Sequence, residues 1–162
     1  MRSDRVVDGL AVGRTSVGGD DASASIVTLY RRLKRNDVNV LMVSGAILSL
    51  YNIVDIDGLS RKTRLPVICL TYKETSGIED SIVRHFPEGA EAKLEAYRKL
   101  GDRKRLRLKS GHLVFARTAG IGQAEAKSVL DLFTLQGSVP EPIRVARLLA
   151  RAAAPKRSSP RD

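Results

Sequence analysis

The chain has 162 residues, 43% of them hydrophobic and 28% charged, enough to bury one core without staples. Its single cysteine, Cys69, excludes a disulfide framework and fits a reducing, cytoplasmic setting; no apolar run reaches membrane-span length and no signal peptide opens the chain. Lys and Arg number 28 against 18 Asp and Glu, a formal charge of +10 and a pI near 10.2. That surplus favours polyanions, nucleic acid first, because binding releases their counterions.

Residues 6–17 alternate loosely between apolar and polar, with Gly9, Gly13 and Gly18-Gly19 as punctuation, and read as one half-exposed strand ending in a turn. Asp20 and Asp21 then stand at the N-cap of a helix marked by Ile26, Leu29, Tyr30 and Leu33, whose basic end (Arg31, Arg32, Lys34, Arg35) suits the opposite pole of the dipole. Val38-Asn39-Val40-Leu41-Met42-Val43 and Pro66-Val67-Ile68-Cys69-Leu70 are short, nearly continuous apolar runs, the pattern of strands buried on both faces. A Gly turn, the amphipathic segment 51–59 and the polar patch 60–64 separate them. The whole stretch is expected to form a βαβ unit with parallel strands.

Thr75-Ser76-Gly77 makes a turn, and Ile78, Ile82, Val83 and Phe86 mark a short helix stopped by Pro87. A helix over 88–100 ends at Gly101. A strand is expected at 112–116, then a helix from Gly122-Gln123 with Ala124, Val129, Leu132 and Phe133 inward. The last helix starts at Pro140-Glu141-Pro142 and carries Arg144, Arg147 and Arg151 on one side. These elements define a single α/β domain over 1–154, followed by a short basic tail, 155–162, expected to be disordered.

Few chemical signatures are present. There is no cysteine or histidine pair at ligand spacing, no Gly-Lys-Ser/Thr phosphate loop and no Gly-x-Ser-x-Gly elbow; His85 and His112 read as structural. The carboxylates Asp8, Asp20, Asp21, Asp55 and Asp57 lie near expected strand ends. Oxygen ligands of this kind suit Mg²⁺ or Mn²⁺, although turn and cap chemistry accounts for each one singly. The strongest pattern is the run Arg98, Lys99, Arg103, Lys104, Arg105, Arg107 and Lys109, with Asp102 as its one acid. Like charges so dense repel one another without an anionic partner. With 4% aromatics, phosphate contact outweighs base stacking.

Thr63-Arg64-Leu65-Pro66-Val67-Ile68 with Lys73, and Ala119-Gly120 followed by Val139-Pro140-Glu141-Pro142-Ile143-Arg144-Val145-Ala146, resemble stretches of the endonuclease V family. Gly19-Asp20-Asp21-Ala22 and Leu50-Tyr51-Asn52-Ile53-Val54-Asp55 resemble motifs of uncharacterised archaeal relatives of that enzyme. The resemblance implies a ribonuclease H-like mixed sheet flanked by helices, with acids at its strand ends that use Mg²⁺ to cut nucleic acid near deaminated adenine. Three departures stand out: the chain starts at what resembles the third strand, Ser44-Gly45 replaces Asp-Gly, and Ile121 replaces a histidine.

The expected function is therefore nucleic-acid binding on an endonuclease V-like fold with weak or no nuclease activity. One alternative is an active Mg²⁺- or Mn²⁺-dependent endonuclease using Asp20, Asp21 and Asp55, aided by Asn52 and Lys73. The other is a scaffold with a thermophile's charged surface, although such a surface would carry nearly matched acids. Lacking its first two strands, the sheet is expected to re-pair residues 6–17 inward against 38–43 or across a homodimer.

Overall fold

The computed structural model describes residues 1–74 and 77–154. Its centre is the expected parallel pair. Strand β1 (Leu41–Ser44) lies beside β4 (Val67–Thr71), in register from Leu41 opposite Val67 to Ser44 opposite Leu70. Helix α2 (Ile56–Thr63) crosses between them, starting where the Asp55 carboxylate accepts the Gly58 N–H at 2.8 Å. It ends at Arg64, whose left-handed φ of 58° turns the chain toward Pro66.

The sheet continues with β6 (Leu113–Ala119), antiparallel to β4, and β5 (Lys104–Arg107), antiparallel to β6, in the order β1-β4-β6-β5. Val67, Ile68, Cys69 and Leu70 are all buried, since helices cover both faces of β4. On one face Val43, Val67, Cys69 and Ala119 meet Val27 of α1 (Ala22–Arg32) and Ile56 and Leu59 of α2. On the other, Ile68, Leu70, Leu106, Val114 and Ala116 meet Ala126 and Leu130 of α5 (Gln123–Phe133) and Ile143 of α6 (Glu141–Ala153). Each such large side chain, fully buried, contributes about 1.5–3 kcal/mol. The result is a mixed sheet flanked by helices, the architecture expected. Helices α3 (Glu79–His85) and α4 (Ala90–Lys99) form a pair beside a small hairpin, β2 (Ile47–Leu48) and β3 (Asn52–Ile53).

Several expectations are corrected. Residues 6–17 form no strand. The alternation has no buried side to serve: Val6, Val12 and Val17 are 51%, 47% and 76% exposed. The segment instead runs over α1, so close that a Cβ on Gly13 would meet Leu29 at 2.9 Å, and arginines take its carbonyls. Arg32 donates to Val12 O at 3.5 Å and Arg35 to Asp8 O at 3.3 Å. Inward re-pairing with β1 is therefore not what occurs, and the outer edge of β1 carries no strand among the described residues.

The segment 51–59 is not one amphipathic element but β3 followed by α2. At the hairpin tip Ser49, Leu50 and Tyr51 hold φ values of 32°, 55° and 57°, a strained left-handed run, and Gly18 N–H donates to Ser49 O at 2.6 Å. Helix α5 buries Ala126, Leu130 and Phe133, whereas Ala124 and Leu132 face solvent, so its inward stripe is rotated from the expected one. The basic run contains a strand, β5, that was not anticipated. The expected turn at Thr75-Ser76 and the tail 155–162 lie outside the described residues.

Candidate nucleic-acid interface

Strand β5 decides how the basic run is displayed. Leu106 and Leu108 point into the core, 9% and 3% exposed, which forces the residues between them outward. Arg105 pairs with Phe115 and Arg107 with Leu113, while Arg117 of β6 lies opposite Cys69 of β4. These side chains share the face that, nearer β1, is covered by α1 and α2. That cover reaches β6 through α2 and thins toward β5, where Arg105 and Arg107 are exposed.

The partners of these cations are mostly neutral. Arg107 donates to Gly111 O at 3.1 Å and Arg117 to Gly101 O at 2.8 Å. Arg103 lies over the Phe115 ring at 5.4 Å and donates to Thr71 Oγ1 and Lys73 O, both at 3.2 Å. Among the described residues, no carboxylate pairs with Lys104, Arg105, Arg107 or Arg117. A carbonyl orients a guanidinium but leaves its charge intact and most of its N–H donors unspent. Arg98 and Lys99 differ, because they pair along α4 with Glu91 at 3.1 Å and Glu95 at 2.7 Å. Lys109 begins the turn into β6, its N–H donating to Asp131 Oδ1 at 2.7 Å. Arg98 and Lys99 thus sit at a neutralised helix end, whereas Lys104, Arg105 and Arg107 lie on a strand where no carboxylate pairs with them among the described residues. Arg117 belongs with the open group, and its place in an otherwise apolar strand hid it from view.

The carboxylates named from the sequence are spread over three structural tasks. Asp21 and Asn52 come together: the Asn52 amide donates to Asp21 Oδ1 at 2.6 Å, Thr15 Oγ1 at 2.8 Å and Ser16 O at 2.9 Å, and its Oδ1 accepts the Ala22 N–H at 3.0 Å. Asp21 also accepts the Thr15 hydroxyl at 2.6 Å and the Ser16 N–H at 3.1 Å. The Thr15 hydroxyl, then the Asn52 amide and the Ser16 N–H, hold its carboxyl well below the usual 3.8. Asp21 occupies the N-cap position of α1 as expected, but its side chain turns backward and Asn52 satisfies the helix end in its place.

Asp20 is the counter-ion of Lys93, at 2.8 Å. Lys93, 7% exposed and absent from the sequence reading, also donates to Gly19 O at 3.0 Å and Tyr51 O at 3.3 Å, tying α4 to two loops. Asp55 caps α2. Asp8 binds Arg35 at 2.8 Å, and Lys73 is exposed just beyond β4. Asp55 and Asp57 do border a cleft of about 600 Å³ with Arg61, Glu95, Lys99 and Arg117. Among the described residues, however, no three His, Cys, Asp or Glu side chains converge as a cation would require. Asp8, Asp20, Asp21 and Asp55 are each engaged elsewhere, so the donor set does not fit that ion.

Fold and surface together define an α/β protein with a basic, half-open sheet. Comparison with known proteins is specific at the family level. The family model described as Endonuclease dU matches residues 1–154, and the chain belongs to that family. A UPF0215 protein of Pyrobaculum calidifontis is 36% identical over 149 residues, 92% of this chain and 82% of that protein. A UPF0215 protein of Methanosarcina mazei is 31% identical over 148 residues, 89% of this chain and 74% of the relative. The archaeal kinship expected from the motifs is met.

Among solved structures, a protein of unknown function from Archaeoglobus fulgidus shares the fold with a TM-score of 0.77 and 24% identity, covering 90% of this chain and 82% of that one. Endonuclease V of Ciona intestinalis, solved with inosine-containing DNA, gives a TM-score of 0.48 at 14% identity, covering 80% of this chain and 60% of that one. No helix among the described residues is long and apolar enough to cross a membrane.

Proposed function

We propose that this chain binds nucleic acid through the phosphate backbone, on the open β5–β6 half of its sheet, and cleaves it weakly or not at all. The observation that carries the reading is the set Arg105, Arg107 and Arg117: three cations on adjacent strands and on one face of the sheet, with no carboxylate paired to them among the described residues. Such a surface gains by exchanging its counterions for a polyanion. Membership in the endonuclease dU family makes nucleic acid the polyanion to consider, and DNA containing dU the first to try.

The same membership favours a second reading, an active endonuclease using Mg²⁺ or Mn²⁺ with Asp20, Asp21, Asn52, Asp55 and Lys73. The separate engagements of those acids weigh against it. Binding of labelled DNA and RNA at rising salt, followed by incubation of dU- and inosine-containing strands with either ion, tests both. The first reading expects affinity that falls steeply with salt and intact strands. Cleavage that is lost in Asp55→Asn would establish the second, and a protein indifferent to polynucleotides at low salt would end both.

A further inference from the structure

Ser44 closes β1 and Tyr72 follows β4, at the shared carboxyl end of the two parallel strands. From helix α6, 103 residues away in sequence, Arg147 reaches this end. Its Nη2 and Nε donate to Ser44 Oγ at 2.7 and 3.2 Å, and its guanidinium lies 4.8 Å from the centre of the Tyr72 ring. No carboxylate pairs with Arg147 among the described residues.

The hydrogen-bond inventory of the group is one-sided. Both Ser44 lone pairs are taken by Arg147, so its O–H is left to donate. Of the five N–H donors on Arg147, the two spent on Ser44 leave three. Tyr72 Oη, on the ring over which Arg147 lies, is the only buried side-chain polar atom among the described residues with no hydrogen-bond partner. Burying such a group costs free energy, and native structures keep few of them. A half-buried cation, fixed by stacking and by a hydroxyl and presenting donors only, is complementary to an anion with several oxygens. The carboxyl ends of parallel strands are also where open α/β sheets receive ligands.

The geometry points to Arg147, positioned by Ser44 and the Tyr72 ring, as a phosphate-binding residue that takes one phosphodiester of the nucleic acid at this end of the sheet. The inference rests on the nucleic-acid reading for the source of its ligand, but not for the anion site itself. Arg107 of β5 and the exposed Lys73 lie toward the same end of the sheet, Arg107 on the α1–α2 face and Arg147 on the α5–α6 face, so a nucleic acid that meets both rounds this end.

Three variants test it: Arg147→Gln, Arg147→Lys and, as a control for charge alone, Arg151→Gln, exposed one turn further along the same helix. Each is first checked for an unchanged thermal midpoint. Binding of a short single-stranded oligonucleotide is then followed against salt, and the Arg147 Nε–Hε NMR signal is followed during titration with inorganic phosphate. Arg147→Gln is expected to weaken oligonucleotide binding several-fold and to lower the salt slope by about one phosphate contact. Arg147→Lys keeps the charge but loses the fork, and falls between wild type and Arg147→Gln. Arg151→Gln leaves the slope unchanged, and phosphate shifts the Arg147 signal. Equal slopes for Arg147→Gln and Arg151→Gln would overturn the inference while leaving the basic face intact. If the wild type binds no oligonucleotide, the functional reading fails; a phosphate-shifted Arg147 signal then still upholds the anion site, and an unmoved one overturns it.

Discussion

Asn52 and Asp21, 31 positions apart, meet at 2.6 Å beneath the start of α1, with Asn52 fully buried. This contact joins the hairpin, the first helix and the N-terminal segment in one hydrogen-bonded knot, and it gives two residues of the expected catalytic set a structural role.

Removing the amide leaves Ala22 N–H, Thr15 and Asp21 with fewer partners in a buried place. Asn52→Ala is expected to cost about 2–4 kcal/mol in urea unfolding, more than truncation of an exposed polar residue. A loss below about 0.5 kcal/mol would show that the knot contributes little.

Acid acts on the same contact. The Asp21 carboxyl is depressed below 3.8 in the folded chain, mainly by the Thr15 hydroxyl and the Asn52 amide, so its contribution is complete above that pH. It is lost as pH falls from 3.8 toward the lower folded value, where the native state must be protonated against its hydrogen bonds. The urea midpoint is expected to drop across this acid range, and to drop less steeply in Asp21→Asn. Parallel curves for the two proteins would contradict it.

Lys93 and Asp20 separate burial from pairing. Lys93→Met keeps the stem's volume but removes the donor from the Gly19 and Tyr51 carbonyls and from Asp20, and is expected to cost about 1–3 kcal/mol. Asp20 is 85% exposed, so Asp20→Asn is expected to cost under about 1 kcal/mol. Thermal or urea unfolding compares them. Any strand cleavage that survives in wild type and vanishes in the stable Asp20→Asn protein would assign Asp20 to chemistry after all.

The sequence reading found what periodicity can report and missed what partners decide. The runs around Val43 and Ile68 are continuous because helices cover both faces of the sheet, and their parallel pairing was legible for that reason. Residues 6–17 alternate just as a strand does, yet no neighbouring strand takes up their backbone groups. In β5 the alternation of Leu106 and Leu108 with arginines was the signal, masked by the charge of the run. Lys93 lay unread because a lysine on a helix is ordinarily solvated. Of the carboxylates expected near strand ends only Asp55 follows a strand, β3; Asp57 lies within α2, and Asp8, Asp20 and Asp21 adjoin no strand, because the one expected at 6–17 does not form.

Salt dependence of nucleic-acid binding, compared between wild type and the Arg105→Gln/Arg107→Gln double variant, addresses the open half-sheet most directly. Both side chains are exposed, so the fold is expected to persist. The logarithm of affinity against the logarithm of salt should be steep for wild type, and shallower by about two units in the variant. Wild-type and variant lines of equal slope and height would contradict the claim that this face holds the phosphate backbone.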